Sequence, residues 1–303
     1  MNKGLHRYTL LVTGATFFLL IAGALVTSND AGLATSDWPL SNGQVFPRMV
    51  GNLFWEHGHR MVATTVGILT IGLALYFYRS EPRVAVRRLG ELSLIGVIAQ
   101  GLLGGLTVKL NLPLAVSAAH ATLAQLFFCT LVSLSVFTSQ GWLEDRRALT
   151  EKGGPPLRYL SAAATVTIFL QLILGATLRH SAPWDQFLPK ELVIAHIGGA
   201  ITVLLVLGAT VLLVIKRYAG ESYLTRPAWL AVGLLLVQIG LGITAYLTRL
   251  KSPYDPQPLN PMIGITVAHV ACGALVFATT IVLTLRIFRS VRVSEPAYEL
   301  AAV

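Results

Sequence analysis

Polar and apolar positions along the chain separate into long blocks. Runs without a charged residue cover 8–29, 61–78, 92–108, 110–143, 159–178, 192–215, 227–248 and 256–285. Each can supply the roughly 17–25 residues that a membrane-crossing helix requires. The pattern predicts an all-α membrane protein with eight transmembrane helices. The first run follows Lys3 and Arg7, as a secretory signal would. It is longer than a usual signal core, so a retained helix is expected.

Composition supports this class. Hydrophobic residues make up 54% of the 303 and charged residues only 12%, against about 25% in a soluble domain. The net charge of +9 would suit a nucleic-acid binder, but its placement argues otherwise. With an even number of spans both termini share one side, and that side collects sixteen of the 23 Lys and Arg residues. Such asymmetry marks the cytoplasmic side, so both termini are expected there and no nucleic acid is implied. Cys129 and Cys272 fall inside apolar runs, where packing is expected rather than a disulfide or a metal site.

The chain is internally repetitive. The stretch 144–158 has a Gly-Gly-Pro-Pro centre and reads as a linker. On its two sides "AGALVT" at 22–27 resembles "LGATLR" at 174–179, and "QGLLGGLTV" at 100–108 resembles "QIGLGITAY" at 238–246. "LAVSAAHATLAQLFF" at 114–128 resembles "ITVAHVACGALVF" at 265–277. Two four-helix bundles are therefore expected, 1–143 and 159–303, related by a pseudo-two-fold axis along the membrane normal. Gly101, Gly104, Gly105, Gly240 and Gly242 lie in the third span of each half, where small residues permit close helix approach.

Four of the seven histidines follow the repeat. His59 and His120 fall in the second and fourth spans of the first half, and His196 and His269 in the same spans of the second. His6 and His180 are expected to be solvated, in a tail and an outer loop. A single intramembrane histidine is usually a hydrogen-bonded core residue. Four at matched depth, in the outer half of the membrane, point to paired ligands. Two imidazoles facing each other in a helix bundle supply both axial ligands of a haem iron. Zinc would need three or four ligands together, and no acidic or cysteine cluster accompanies either pair. Two haem sites are expected. His57, Arg60, Lys109, Arg179, His180, Arg249 and Lys251 are candidate donors to haem propionates, although most such residues merely anchor helix ends. In "EHGHR", Glu56 shares a helix face with His59. Glu191 stands five residues before His196, at a different angle, so the two sites are expected to be unlike.

These residues resemble the haem A synthase family. The likeness rests on "GALVT", "DWPL" followed by "FP", the E-x-x-H-R of "EHGHR", and one histidine in every even helix. The resemblance implies an enzyme that oxidises the C8 methyl of haem O to the formyl of haem A. It implies His59 and His120 as ligands of the substrate haem, His196 and His269 as ligands of a haem b cofactor, and Glu56 as the carboxylate essential to the chemistry. It further implies a plasma (inner) membrane location, haem sites towards the outer face, and partners among the haem O-making enzyme and a terminal oxidase. A homo-oligomer is left open. Many family members carry two cysteines flanking the D-W-P-L stretch, where this chain has Thr35 and Ser41, which puts any thiol chemistry of that loop in doubt. Two routes remain open. In one, a histidine leaves the substrate iron so that oxygen can bind. In the other, electrons are withdrawn through the macrocycle, water attacks, and Glu56 stabilises charge or takes a proton. The competing functions are a bis-histidine di-haem cytochrome b that exchanges electrons with quinone, and a non-catalytic haem carrier.

Overall fold

A computed structural model of the chain describes residues 2–145, 147–151, 153–182, 186–251 and 259–292, with only the backbone at Lys251. The helices are α1 (Lys3–Ser28), α2 (Asn52–Ser80), α3 (Val84–Lys109), α4 (Leu114–Thr138), the short α5 (Gln140–Leu143), α6 (Leu157–His180), α7 (Lys190–Arg217), α8 (Ser222–Lys251) and α9 (Asn260–Ser290). All but α5 are long and apolar enough to cross a membrane, which gives eight among the described residues. A helix suits lipid because it satisfies its own backbone N–H and C=O groups. Ile68, Ile95, Leu205 and Leu236 are each more than 60% exposed. A water-soluble monomer rarely exposes so much apolar surface; an apolar solvent accommodates it.

The observed ends differ from the uncharged runs for local reasons. Helix α2 begins at Asn52, before the run at 61, and so draws Glu56, His57, His59 and Arg60 into its first turns. The run 110–143 is broken. Asn111 and Leu112 adopt positive φ angles of 57° and 56°, and Pro113 then sets the start of α4. The chain thereby reverses between α3 and α4 in a few residues. His6 belongs to α1 and its Nδ1 shares a 3.0 Å hydrogen bond with the Thr138 hydroxyl. His180 closes α6 and is half-buried. Neither histidine is the solvated residue expected from its position in the sequence.

Helices α1 to α4 pack in a ring, α1 touching both α2 and α4, and α6, α7, α8 and α9 repeat the arrangement. The two groups meet where α1 and α4 lie against α6 and α9. Burial identifies α4 and α9 as the seam. Within their most apolar windows 44% and 50% of residues are buried, against 11% for α8. Adjacent residues of α4 serve different cores. Phe127 packs with Leu5, Val12, Leu73 and Phe77, whereas Phe128 joins Ala164, Leu207 and Phe277.

The stretch expected to be a linker is tied down. Its β1 (Leu149–Thr150) pairs in parallel with β2 (Val291–Arg292) at the end of α9. Glu151 accepts from the Leu157 N–H at 2.9 Å, capping α6, and Tyr218 donates to the Thr150 carbonyl at 3.1 Å. Both cysteines are free and buried, as expected of packing residues.

Candidate functional site

The four histidines sit at one level. His59, His120, His196 and His269 lie seven, six, six and nine residues beyond the first residue of α2, α4, α7 and α9. That is about 9–14 Å along each helix. Every one packs against a glycine of the preceding long helix. A Cβ placed on Gly23, Gly104 or Gly175 would come within 3.1 Å of the Cε1 of His59, His120 or His196, and one on Gly242 within 2.9 Å of His269. Only glycine lets the ring lie so close to the neighbouring backbone.

In the second group the His196 and His269 rings face each other, with centroids 6.4 Å apart and planes at 69°. Two imidazoles bound to opposite sides of one metal, with each nitrogen about 2 Å from it, place their centroids about 6 Å apart. In the first group His59 and His120 lie within electrostatic range of each other. The Nδ1 atoms of His59, His120 and His269 are buried without a hydrogen-bond partner, and all four residues are half-buried. A ring that offers Nε2 to a metal and keeps its proton on Nδ1 fits this arrangement. Among the described residues no cluster of three or more His, Cys, Asp or Glu could hold a metal ion by itself. The facing pair supplies two imidazoles, a donor set that fits a bis-imidazole haem iron.

Around Glu56 the first group adds a polar network. Glu56 is only 4% exposed. Its Oε2 accepts from the Thr35 N–H at 3.0 Å, and its Oε1 pairs with Arg60, one helical turn on. Arg60 also donates to the carbonyls of Asp37 and Leu40 and, at 3.0 Å, to the Ser41 hydroxyl. The same hydroxyl shares a 2.9 Å hydrogen bond with His57 Nδ1. The loop between α1 and α2 is thus strapped onto the first turns of α2. Asp37 closes the strap on itself, accepting from the Asn42 and Gly43 N–H groups at 2.9 and 2.8 Å and from the Thr35 hydroxyl. These bonds, the one from Gly43 first, hold its carboxyl well below the usual aspartate range. Trp38 lies on α3, where a Cβ at Gly105 would meet its ring at 2.7 Å.

Thr35 and Ser41 therefore stand at the centre of the network, 5% and 0% exposed. Thiols are absent, and hydrogen bonds to Glu56, His57 and Arg60 do the fastening. Glu191, by contrast, is exposed.

The other candidate donors are distributed over both groups. Lys109 reaches the Ser36 carbonyl at 3.5 Å. Arg179 donates to the Ser28 hydroxyl at 2.8 Å, joining the ends of α6 and α1, and lies within electrostatic range of Arg249 and His269. Arg249 is 7% exposed. His180 is within range of His120. The Lys251 side chain lies outside the described residues.

With this geometry in place, comparison with known proteins is informative. The family described as "Cytochrome oxidase assembly protein" matches residues 49–187, a stretch that holds Glu56, His59 and His120. Proteins named heme A synthase are similar over longer stretches. The one from Bacillus licheniformis is 27% identical over 60% of this chain. Those from Lysinibacillus sphaericus and Geobacillus kaustophilus are 28% identical over 59% and 24% identical over 83%. Over part of its length the chain is similar to proteins named heme A synthase and to that assembly family. It spans 61%, 59% and 84% of the length of those three relatives. The longest of these alignments reaches well beyond the family match, which ends before His196.

Three residues at the site escape a search for titratable groups. Gln100 donates to the His120 carbonyl at 3.0 Å and Gln171 to the His196 carbonyl at 2.8 Å, while Gln238 Nε2 lies 3.3 Å from His269 Nε2. The signal was present in the repeat: each is followed four residues later by the glycine that cradles the same histidine.

Proposed function

We propose that this protein is a haem A synthase that oxidises the C8 methyl of haem O to the formyl of haem A. The observation that carries the reading is Glu56, a buried carboxylate fastened at both oxygens and set one helical turn from His59, with no counterpart beside His196. A carrier or an electron conduit has no need of such a group at one site alone.

In this reading, residues 1–143 and 159–303 form two related bundles joined by 144–158. His59 and His120 hold the substrate haem, and His196 and His269 hold haem b, which supplies one-electron chemistry when bound. Arg60 and the Thr35 N–H fix the carboxylate of Glu56, so it meets the substrate without reorganising. From there it stabilises positive charge at the reacting carbon or takes the proton of an attacking water. The strap 29–51 limits water at the first pair. Arg179, Arg249, Lys109 and Lys251 are the donors for propionates. Arg60 acts through the strap instead, since its guanidinium is turned to Ser41, Glu56 and the loop carbonyls, and His57 meets the strap through Nδ1 while its Nε2 is buried without a hydrogen-bond partner. The excess of Lys and Arg at the face where α1 starts and α9 ends supports a cytoplasmic position for that face and, with it, haem sites in the outer half of a bacterial plasma membrane. The haem O-making enzyme and a terminal oxidase are the natural partners.

The test is expression of the full chain with and without a co-expressed supply of haem O, followed by haem extraction and chromatography. Haem A that forms only when haem O is supplied is the expected result. Haem b alone would establish a di-haem cytochrome, and haem O recovered unchanged a carrier.

A further inference from the structure

Towards the end of the molecule away from the histidines, the seam between the two groups of helices is open on one side. Helices α4 and α8 each pack on α9 and scarcely on each other, which leaves a furrow of about 430 Å³ with α9 as its floor. Phe128 and Val132 of α4, Leu230 of α8, and Leu275 and Val282 of α9 give it apolar walls. Leu230 is 56% exposed, so the furrow opens sideways towards lipid. From Leu275 to Arg286 the lining runs eleven residues along α9. That is about 16 Å, roughly half of the 30 Å hydrocarbon core of a bilayer. The furrow is as long as one leaflet is deep.

Two arginines stand at its mouth. Arg226 lies near the start of α8 and Arg286 one turn before the end of α9. Among the described residues no carboxylate lines the furrow. Asp145 is within electrostatic range of Arg286, but it pairs with Arg147 at 3.1 Å and with Arg289 at 4.0 Å. Glu221 lies 3.5 Å from Arg147. Four arginines thus face two carboxylates, and a positive field remains. An arginine that merely snorkels keeps its head loose in water. Arg286 is held instead: it is half-buried, donates from Nη1 to the Tyr223 carbonyl at 2.8 Å, and lies 4.6 Å from the centroid of the Tyr223 ring. A fixed guanidinium fork matches phosphate oxygens. Arg226 is exposed and belongs to none of the ion pairs among the described residues.

We propose that the furrow between α4, α8 and α9 binds an anionic phospholipid, with its phosphate on Arg226 and Arg286 and an acyl chain along the apolar walls. Basic pockets between membrane helices take anionic headgroups in this way. Phe128 and Ala278 line the furrow and also belong to the core that joins α4 to the second group, so the bound lipid fastens the two groups together. The site is separate from the histidine pairs and does not depend on what they hold. A furrow of about 720 Å³ beside α1 and α2 offers only Arg79 as a cation, and its Tyr8 and Tyr76 hydroxyls are spent on the Leu69 carbonyl and Asn2.

Lipid binding to the full chain, purified in detergent and stripped of lipid, tests the proposal. Native mass spectrometry and thermal unfolding would follow the addition of phosphatidylglycerol, phosphatidylcholine or soluble glycerol phosphate. Phosphatidylglycerol should bind and raise the unfolding temperature. Phosphatidylcholine should bind about fivefold or more weakly, and R226Q and R286Q should each weaken phosphatidylglycerol binding by about the same factor, the scale of one basic residue at an anionic membrane surface. T279F, which fills the furrow and keeps both charges, should weaken it as well. R79Q, which removes a charge at the other furrow, should leave it unchanged. Equal affinity for the two lipids, unchanged affinity in R226Q, or an equal loss in R79Q would overturn the proposal. So would glycerol phosphate binding as tightly as the lipid, which marks a site for free anions. Where R286Q does not fold, R226Q decides. Binding without a rise in unfolding temperature would refute the fastening of the two groups.

Discussion

The first and second histidine pairs have the same plan and different surroundings. Each pair lies on the even helices of its group, near the end opposite the termini, and each ring rests on a glycine. At the second pair two glutamines lie beside the histidines, with Arg179 and the buried Arg249 in range. At the first, one glutamine is missing, and a buried carboxylate, an arginine and a strap of loop are added. In the proposed function the difference separates holding a porphyrin, for which two imidazoles and close helix packing suffice, from acting on one, which needs a fixed charge and control of water.

The largest effect that would sharpen this contrast comes from Glu56→Gln. Haem A yield should fall by about 10²–10⁴-fold, the range for losing a positioned acid–base group, with haem binding retained. Glu191→Gln, at the matching approach to the second pair, should leave the yield unchanged. Equal losses in the two variants would erase the distinction between the sites. Next in size is His269→Ala. Affinity for haem at the second pair should drop by about 100-fold or more, read as the loss of one low-spin signal with the first pair's signal intact. If both signals vanish together, the groups do not bind independently.

Smaller effects test what the two pairs share. Gly242→Ala puts a methyl group against the His269 ring and should destabilise the protein by about 1–3 kcal/mol through overpacking. Gly240→Ala, where a Cβ meets nothing within 4 Å, should change little; thermal unfolding in detergent compares them. Ser41→Ala strips His57 of its partner while Arg60 keeps its carbonyl acceptors, at a cost of about 1 kcal/mol. It should loosen only the first group, measured by hydrogen exchange of α2 against α7.

The smallest expected effect concerns Asp37. Because its folded-state pKa is depressed, its contribution is fully present above the ordinary aspartate value and is lost only as the pH falls through the lowered one. Protection of the Asn42 and Gly43 amides should therefore hold from about pH 7 to about pH 5. Asp37→Asn should weaken it across that range. Loss of protection in the wild type between those pH values would show that the strap is not fastened by the carboxylate.

Much of this was legible in the linear order. Blocks of apolar residues gave eight spans, because a bilayer-crossing helix has a minimum length and nothing else in the chain approaches it. The histidines were legible because four titratable groups recur at matched places in a repeat. The placement of Glu56 one turn before His59 follows from helical periodicity alone. His6 and His180 misled because loop and tail were inferred from the charges beside them, whereas tertiary contacts drew the first onto Thr138 and half-buried the second. The contacts of the stretch 144–158 were not legible either. Gly-Gly-Pro-Pro announces a turn, but the pairing of 149–150 with 291–292 depends on where α9 ends. Thr35 and Ser41 looked like losses when set beside a cysteine pair. Their backbone and hydroxyl groups turned out to hold the first turns of α2.

The sequence by itself determined the solvent, the number of crossings and which side chains could bind metal, since these depend on hydrophobicity and period and hardly at all on neighbours. The tertiary structure decided which histidines face each other, which glycines receive their rings, and that Glu56 is gripped from two sides. Those contacts join residues 151 and 238 positions apart where the two groups meet, and 20 and 25 apart between glutamine and histidine. No local pattern sets such contacts, because they arise only when packed faces and loop reversals have fixed the helices against one another.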